Sequence, residues 1–162
     1  MLVSGAVLGL IAGLAIARSW RPLLGINLRW LPLLLVALIA RAVAPLAGPG
    51  ALLLYVFSLA GTSATAFANV RLPGVVLVAV GGALNLLPVL ANGGMPVDAG
   101  ALAIAGATMP NDLLHLPMTS ATLFSPLADV IPLPPLRSVY SVGDFCIAVG
   151  GFLLPFVLLI RR

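Results

Sequence analysis

His115 stands three residues after Asp112, a spacing that sets two metal ligands, or a base and the carboxylate orienting it, on one helical turn. A zinc site needs three or four protein ligands, yet the chain supplies no second histidine and a single cysteine, Cys146. No metal and no cofactor is expected. The lone cysteine also excludes an internal disulfide. Ser120, His115 and Asp129 are the residue types of a Ser-His-Asp relay, but no nucleophile elbow or other positioning motif accompanies them. No catalytic residue is assigned, and the chain reads as non-enzymatic. An embedded enzyme using His115 with Asp112, Asp129 or Asp144 is the third of three functional readings.

Arg41 is the one basic residue inside an apolar run. A guanidinium in hydrocarbon is costly and marks a functional position, unless its long stem lets it snorkel to headgroups or carbonyls. Asn85 sits in another apolar run, as a helix-packing contact or a ligand group. Asn92-Gly93-Gly94-Met95-Pro96-Val97 reads as a helix stop, with glycine free to turn left-handed and proline blocking continuation. Ser141-Val142-Gly143-Asp144 carries cap-forming residues at the start of the last run. Arg41, Asn85, Asn92, His115, Asp129 and Asp144 form a candidate polar site on the outer face. Within it Arg41 is expected to meet Asp144, failing that Asp129 or the carbonyls of the 92–97 turn.

The elements that must position these residues follow from composition. Of 162 residues 62% are hydrophobic and 7% charged, with mean hydropathy +1.22; a water-facing surface of this size needs far more polar side chain. The lipid bilayer is the expected solvent. Apolar runs fall at about Leu2–Ile16, Trp30–Leu46, Ala51–Val70, Val75–Ala91 and Phe145–Ile160. Several reach only roughly 24 Å against a hydrocarbon core of about 30 Å, so little tilt is expected. The fold class is all-α: a polytopic transmembrane helix bundle of about five spans, in one membrane domain over 1–162. The stretch from Asn92 to about Tyr140 is too long and too apolar for a structureless loop. It is expected to be a folded outer-face cap of short helices. The run at Leu2 reads as a retained first helix, because its arginines follow it where a secretory signal's precede it.

Two smooth faces stand out on these spans. Gly5, Gly9 and Gly13 recur every four residues, making a helix-packing face for this chain or for another subunit. Ser58, Thr62, Thr65 and Asn69 form a polar stripe suited to interhelical hydrogen bonds. The net charge of +4 comes from arginines scattered between apolar runs, which is no nucleic-acid surface. With the N-terminus outside, Arg18, Arg21, Arg29, Arg71, Arg161 and Arg162 are all cytoplasmic; the reverse topology leaves Arg137 alone in a cytoplasmic loop.

In this order of features, Asn85-Leu86-Leu87, then Asn92 to Val97, His115, Asp129 with Ile131-Pro132, and Ser141 to Asp144, the chain resembles an uncharacterised family of small bacterial multi-span membrane proteins. The resemblance implies several spans and an outer region, with no ligand or catalytic residue to carry over. The expected place is the bacterial cytoplasmic membrane. The leading functional expectation is an accessory, packing subunit of a larger membrane complex, respiratory or photosynthetic for example, with its other subunits as partners. The alternative is a small lipid-, quinone-, ion- or solute-binding or transport protein with an outer-face pocket. A polar cavity reaching Arg41 and Asn85 favours the second; tight packing there favours the first.

Overall fold

A computed structural model describes residues 1–17 and 19–161; Arg18 and Arg162, two of the arginines expected inside, lie outside the described residues. The apolar runs form α1 (Leu2–Ala17), α2 (Leu31–Val43), α3 (Ala51–Ala68), α4 (Val75–Asn92) and α6 (Val142–Ile160), with the short α5 (Ala99–Ala105) between the last two. Backbone amides have no partner in lipid except one another, so apolar runs of this length become helices. Among the described residues the helical segments Gly48–Ala68, Val75–Asn92 and Val142–Ile160 are long and apolar enough to cross a membrane. The segments Leu2–Ala17 and Leu31–Leu46 are apolar but shorter, and they flank the long three. This is a helical membrane protein.

The bundle is a row in which α6 lies between α1 and α4, α4 packs on α3, and α3 on α2. Glycine lets the backbones approach. A Cβ on Gly5 would run into the Ala148 carbonyl and one on Gly9 into that of Phe152, while Gly13 meets Leu159. These contacts climb both helices together, so α1 and α6 run parallel. The glycine face of α1 is thus covered within this chain. On the other side of α6, a Cβ on Gly150 would stand 2.5 Å from the Gly74 carbonyl and one on Gly143 2.6 Å from that of Gly81, an antiparallel approach to α4.

Of the polar stripe on α3, Asn69 alone bonds another segment among the described residues: its Nδ2 donates to the Arg29 carbonyl at 2.8 Å and its Oδ1 accepts from the Arg29 amide at 2.9 Å. The Ser58 hydroxyl turns back to the Tyr55 carbonyl of its own helix at 2.7 Å. Thr62 and Thr65 border an apolar groove of about 450 Å³, whose other walls, from α1, α2 and α6, are apolar side chains that offer no hydrogen-bond partner.

The cap is less helical than expected. Proline punctuates it, and proline both ends helices and suits short edge strands. Beside α5, started by the Asp98 carboxylate accepting the Ala101 amide at 2.7 Å, it contains two strand pairs. In the first, β1 (Met95–Val97) pairs in parallel with β2 (His115–Pro117). In the second, β3 (Ile131–Leu133) pairs antiparallel with β4 (Ser138–Tyr140). The other edge of β1 holds Asp129, whose amide donates to the Pro96 carbonyl at 3.0 Å. Met95 and Leu114 sink from the cap into a cluster with Tyr55, Leu59 and Val89 of the bundle, anchoring the cap to α3 and α4.

Candidate functional site

Between cap and bundle lies a cavity of about 340 Å³ whose wall includes Arg41, Tyr55, His115, Asp129, Arg137 and Asp144. Arg41 comes from the last turn of α2. The short connection to α3 folds back so that Tyr55, seven residues past Gly48 as Arg41 is seven before it, lies alongside. The guanidinium carbon sits 4.7 Å from the Tyr55 ring centroid, a cation–π contact. Tyr55 is the residue that sequence reasoning missed; symmetry about the Ala47–Gly50 turn was its available signal.

Asp144 enters from the start of α6, where it completes a capping box. The Ser141 hydroxyl accepts the Asp144 amide at 3.0 Å, and Asp144 Oδ2 accepts the Ser141 amide at 3.2 Å. Asn85 reaches across from α4. Its Nδ2 donates to Asp144 Oδ1 at 3.1 Å, and its Oδ1 accepts the Ser141 hydroxyl at 2.7 Å. Gly143 makes room for this, since a Cβ there would strike Asn85 Oδ1. Both carboxylate oxygens of Asp144 are therefore occupied by neutral donors.

That occupation explains where the expected Arg41 contact departs from the structure. Arg41 makes no ion pair with Asp144, with Asp129 or with any other carboxylate among the described residues, and bonds no carbonyl of the 92–97 turn. Its fixed partner is the face of Tyr55. It shares the cavity with the two carboxylates without touching either.

Asp129 is 7% exposed and its Oδ1 is buried with no hydrogen-bond partner. Burial, with the Asp144 charge added and Arg41 opposing, pushes its carboxyl up to about 8. His115 is held by Asp112, whose Oδ1 lies 2.8 Å from the ring Nδ1 and also accepts the Leu114 and His115 amides at 2.9 and 3.0 Å. Partial burial raises the Asp112 carboxyl, but the bonds from the His115 ring and the Leu114 amide outweigh it, leaving the group below the ordinary range. The Arg137 Nε donates to the Gly106 carbonyl at 3.2 Å.

Of the six residues expected at one polar site, Arg41, His115, Asp129 and Asp144 border the cavity. Asn85, 2% exposed, stands behind Asp144 as its support. Asn92 lies elsewhere: its side chain bonds the Pro88 carbonyl and both backbone groups of Leu123, at 2.7 to 3.0 Å. It staples the cap to the end of α4. Among the described residues no three His, Cys, Asp or Glu side chains cluster as a metal site would require.

The fold and this cavity define a class: a helical membrane protein whose bundle is capped at one end over a charged pocket. Residues 25–156 match the model of a family of unknown function, DUF5317, and the chain belongs to that family. No curated protein and no solved structure matches it.

Proposed function

We propose that this protein is a non-enzymatic binding protein of the bacterial cytoplasmic membrane, which takes a small molecule bearing an acidic group into the cavity beneath its cap. One observation carries the reading: Arg41, a cation at the end of an apolar span, borders a 340 Å³ polar cavity with no anion paired to it. Ligand pockets are concave, start at about this size and contain a few fixed polar groups. An acid group supplied by the ligand would pair with this exposed guanidinium through charge-assisted hydrogen bonds. Among the described residues the His115 ring bonds Asp112 and no hydroxyl or thiol, which supports binding over catalysis.

The packing-subunit reading drew on small-residue faces, short spans and the lack of a catalytic constellation; α6 covers the glycine face of α1. The short apolar helices Leu2–Ala17 and Leu31–Leu46 still support it. The positive-inside rule supports a cap on the outer side, since Arg21, Arg29, Arg71 and Arg161 follow or join the helix ends opposite it.

The test is titration of the purified chain in nonionic detergent with inorganic phosphate, and its reconstitution in nanodiscs with phosphatidic acid, reading thermal midpoint and lipid retention. Wild type should show saturable stabilisation or retention that Arg41→Gln loses. Equal behaviour of the two proteins toward both probes would refute the proposal.

A further inference from the structure

The cavity sets a cation against two carboxyl groups, and among the described residues no ion pair joins the two sides. Arg41 is fixed on the Tyr55 ring, 4.7 Å from its centroid, without a carboxylate partner. Asp129 carries a buried oxygen with no donor. The neighbouring backbone has none to give: the Asp129 amide is spent on the Pro96 carbonyl and the Asp98 amide on the Asp129 carbonyl. Asp144 has its oxygens filled by neutral groups from Asn85 and Ser141 and makes no ion pair among the described residues. A buried acceptor without a donor costs free energy comparable to a lost hydrogen bond. The missing groups are therefore an anion at Arg41 and a cationic hydrogen-bond donor at Asp129.

We propose that the occupant is a small zwitterion, with its acidic group on the Arg41 guanidinium and its ammonium on the Asp129 carboxylate, beside Asp144. The inference rests on the binding function proposed above and specifies its ligand class. A metal ion does not fit the cationic place, because two carboxylates are the only anionic ligands there and one is already filled. An ammonium brings three donors to the two carboxyl groups that share this wall, Asp129 and Asp144. The chemistry is shared by two sources, a free zwitterionic solute entering through the cap and the phosphoethanolamine headgroup of a lipid entering from the side.

Calorimetric titration of the full chain in nonionic detergent would compare phosphoethanolamine with its two halves, inorganic phosphate and ethanolamine. Nanodiscs of phosphatidylglycerol with and without phosphatidylethanolamine would test the lipid source by native mass spectrometry. Phosphoethanolamine should bind about tenfold or more tighter than either half. Asp129→Asn should reduce it to the affinity of phosphate, and Arg41→Gln to that of ethanolamine. Retention of phosphatidylethanolamine over phosphatidylglycerol, lost in Asp129→Asn, with no binding of the soluble probes, would support the zwitterion with a lipid as its source. Phosphate binding as tightly as phosphoethanolamine, with Asp129→Asn indifferent to both, would overturn the zwitterion and leave the acid-group reading standing. Absence of binding by every probe and of any lipid preference would overturn both. The wild-type comparison decides even where a variant fails to fold.

Discussion

Asp129 loses its water when the cap closes over it, and the chain offers its Oδ1 no donor in exchange. With no cation paired to it among the described residues, a carboxyl in that position keeps its proton, which a docked ammonium would displace: burial first, and the nearby Asp144 charge second, raise it from the ordinary 3.8 to about 8. The consequence for stability has a definite sign. Between those two values the folded chain holds a proton that the unfolded chain has released, so raising pH disfavours folding. The contribution is fully present below the unfolded value and is lost as pH rises through the folded one. Thermal midpoints in detergent should therefore fall between about pH 4 and pH 8 more steeply for wild type than for Asp129→Asn, which has no proton to lose. The two proteins are to be scanned at intervals across that window. Parallel slopes would show that the carboxyl is solvated and titrates normally. Asp144, in the same wall, has both carboxylate oxygens hydrogen-bonded, by Asn85 and by Ser141.

At the scale of elements, lipid supplies no hydrophobic force to drive one helix onto another, so close backbone approach through small residues decides the packing. Gly9 sits where a Cβ would strike the Phe152 carbonyl, whereas Leu8 beside it is 61% exposed. Gly9→Leu should separate α1 from α6 and lower the thermal midpoint in detergent by several degrees, while Leu8→Ala should leave it nearly unchanged; cross-linking between α1 and α6 checks that separation is the cause. An unchanged midpoint in Gly9→Leu would mean that α1 contributes nothing to the bundle. The long helices were legible in the sequence because a lipid solvent leaves an apolar run almost no other structure. Even the start of α6 was marked, by Ser141 and Asp144. The strand pairs of the cap were not, because three-residue strands such as Met95–Val97 have no period to detect and owe their pairing to Leu114 and Asp129, far along the chain. Arg41 was legible as an anomaly, but its partner was not. Nothing in the order of residues shows that Asn85 has already filled the Asp144 oxygen to which Arg41 was expected to turn.

Across the whole molecule, charge is sorted by end. The parallel run of α1 and α6, together with the antiparallel α4, puts Arg21, Arg29, Arg71 and Arg161 at the end away from the cap. Asp98, Asp112, Asp129 and Asp144 all belong to the cap or the helix start beneath it. Arginines resist translocation, while aspartates contribute little to orientation. The exposed Trp20 and Trp30, 59% and 56% accessible, lie at the arginine-bearing end, where amphipathic rings favour the interface. The arginines predict one orientation, with the cap facing outward and the cavity open to external solutes or to the outer leaflet. In a Cys146→Ser background, a cysteine placed at Leu113, 61% exposed in the cap, should react with an impermeant maleimide in intact spheroplasts. One placed at Leu24, 70% exposed between α1 and α2, should react only after permeabilisation. The reverse pattern would turn the molecule over, place the cavity on the cytoplasmic side and limit its ligand to cytoplasmic solutes and inner-leaflet lipids. Arg41 would still border the cavity, because that depends on the α2–α3 hairpin and not on orientation. The labelling therefore tests which compartment supplies the ligand, separately from whether the cavity binds one.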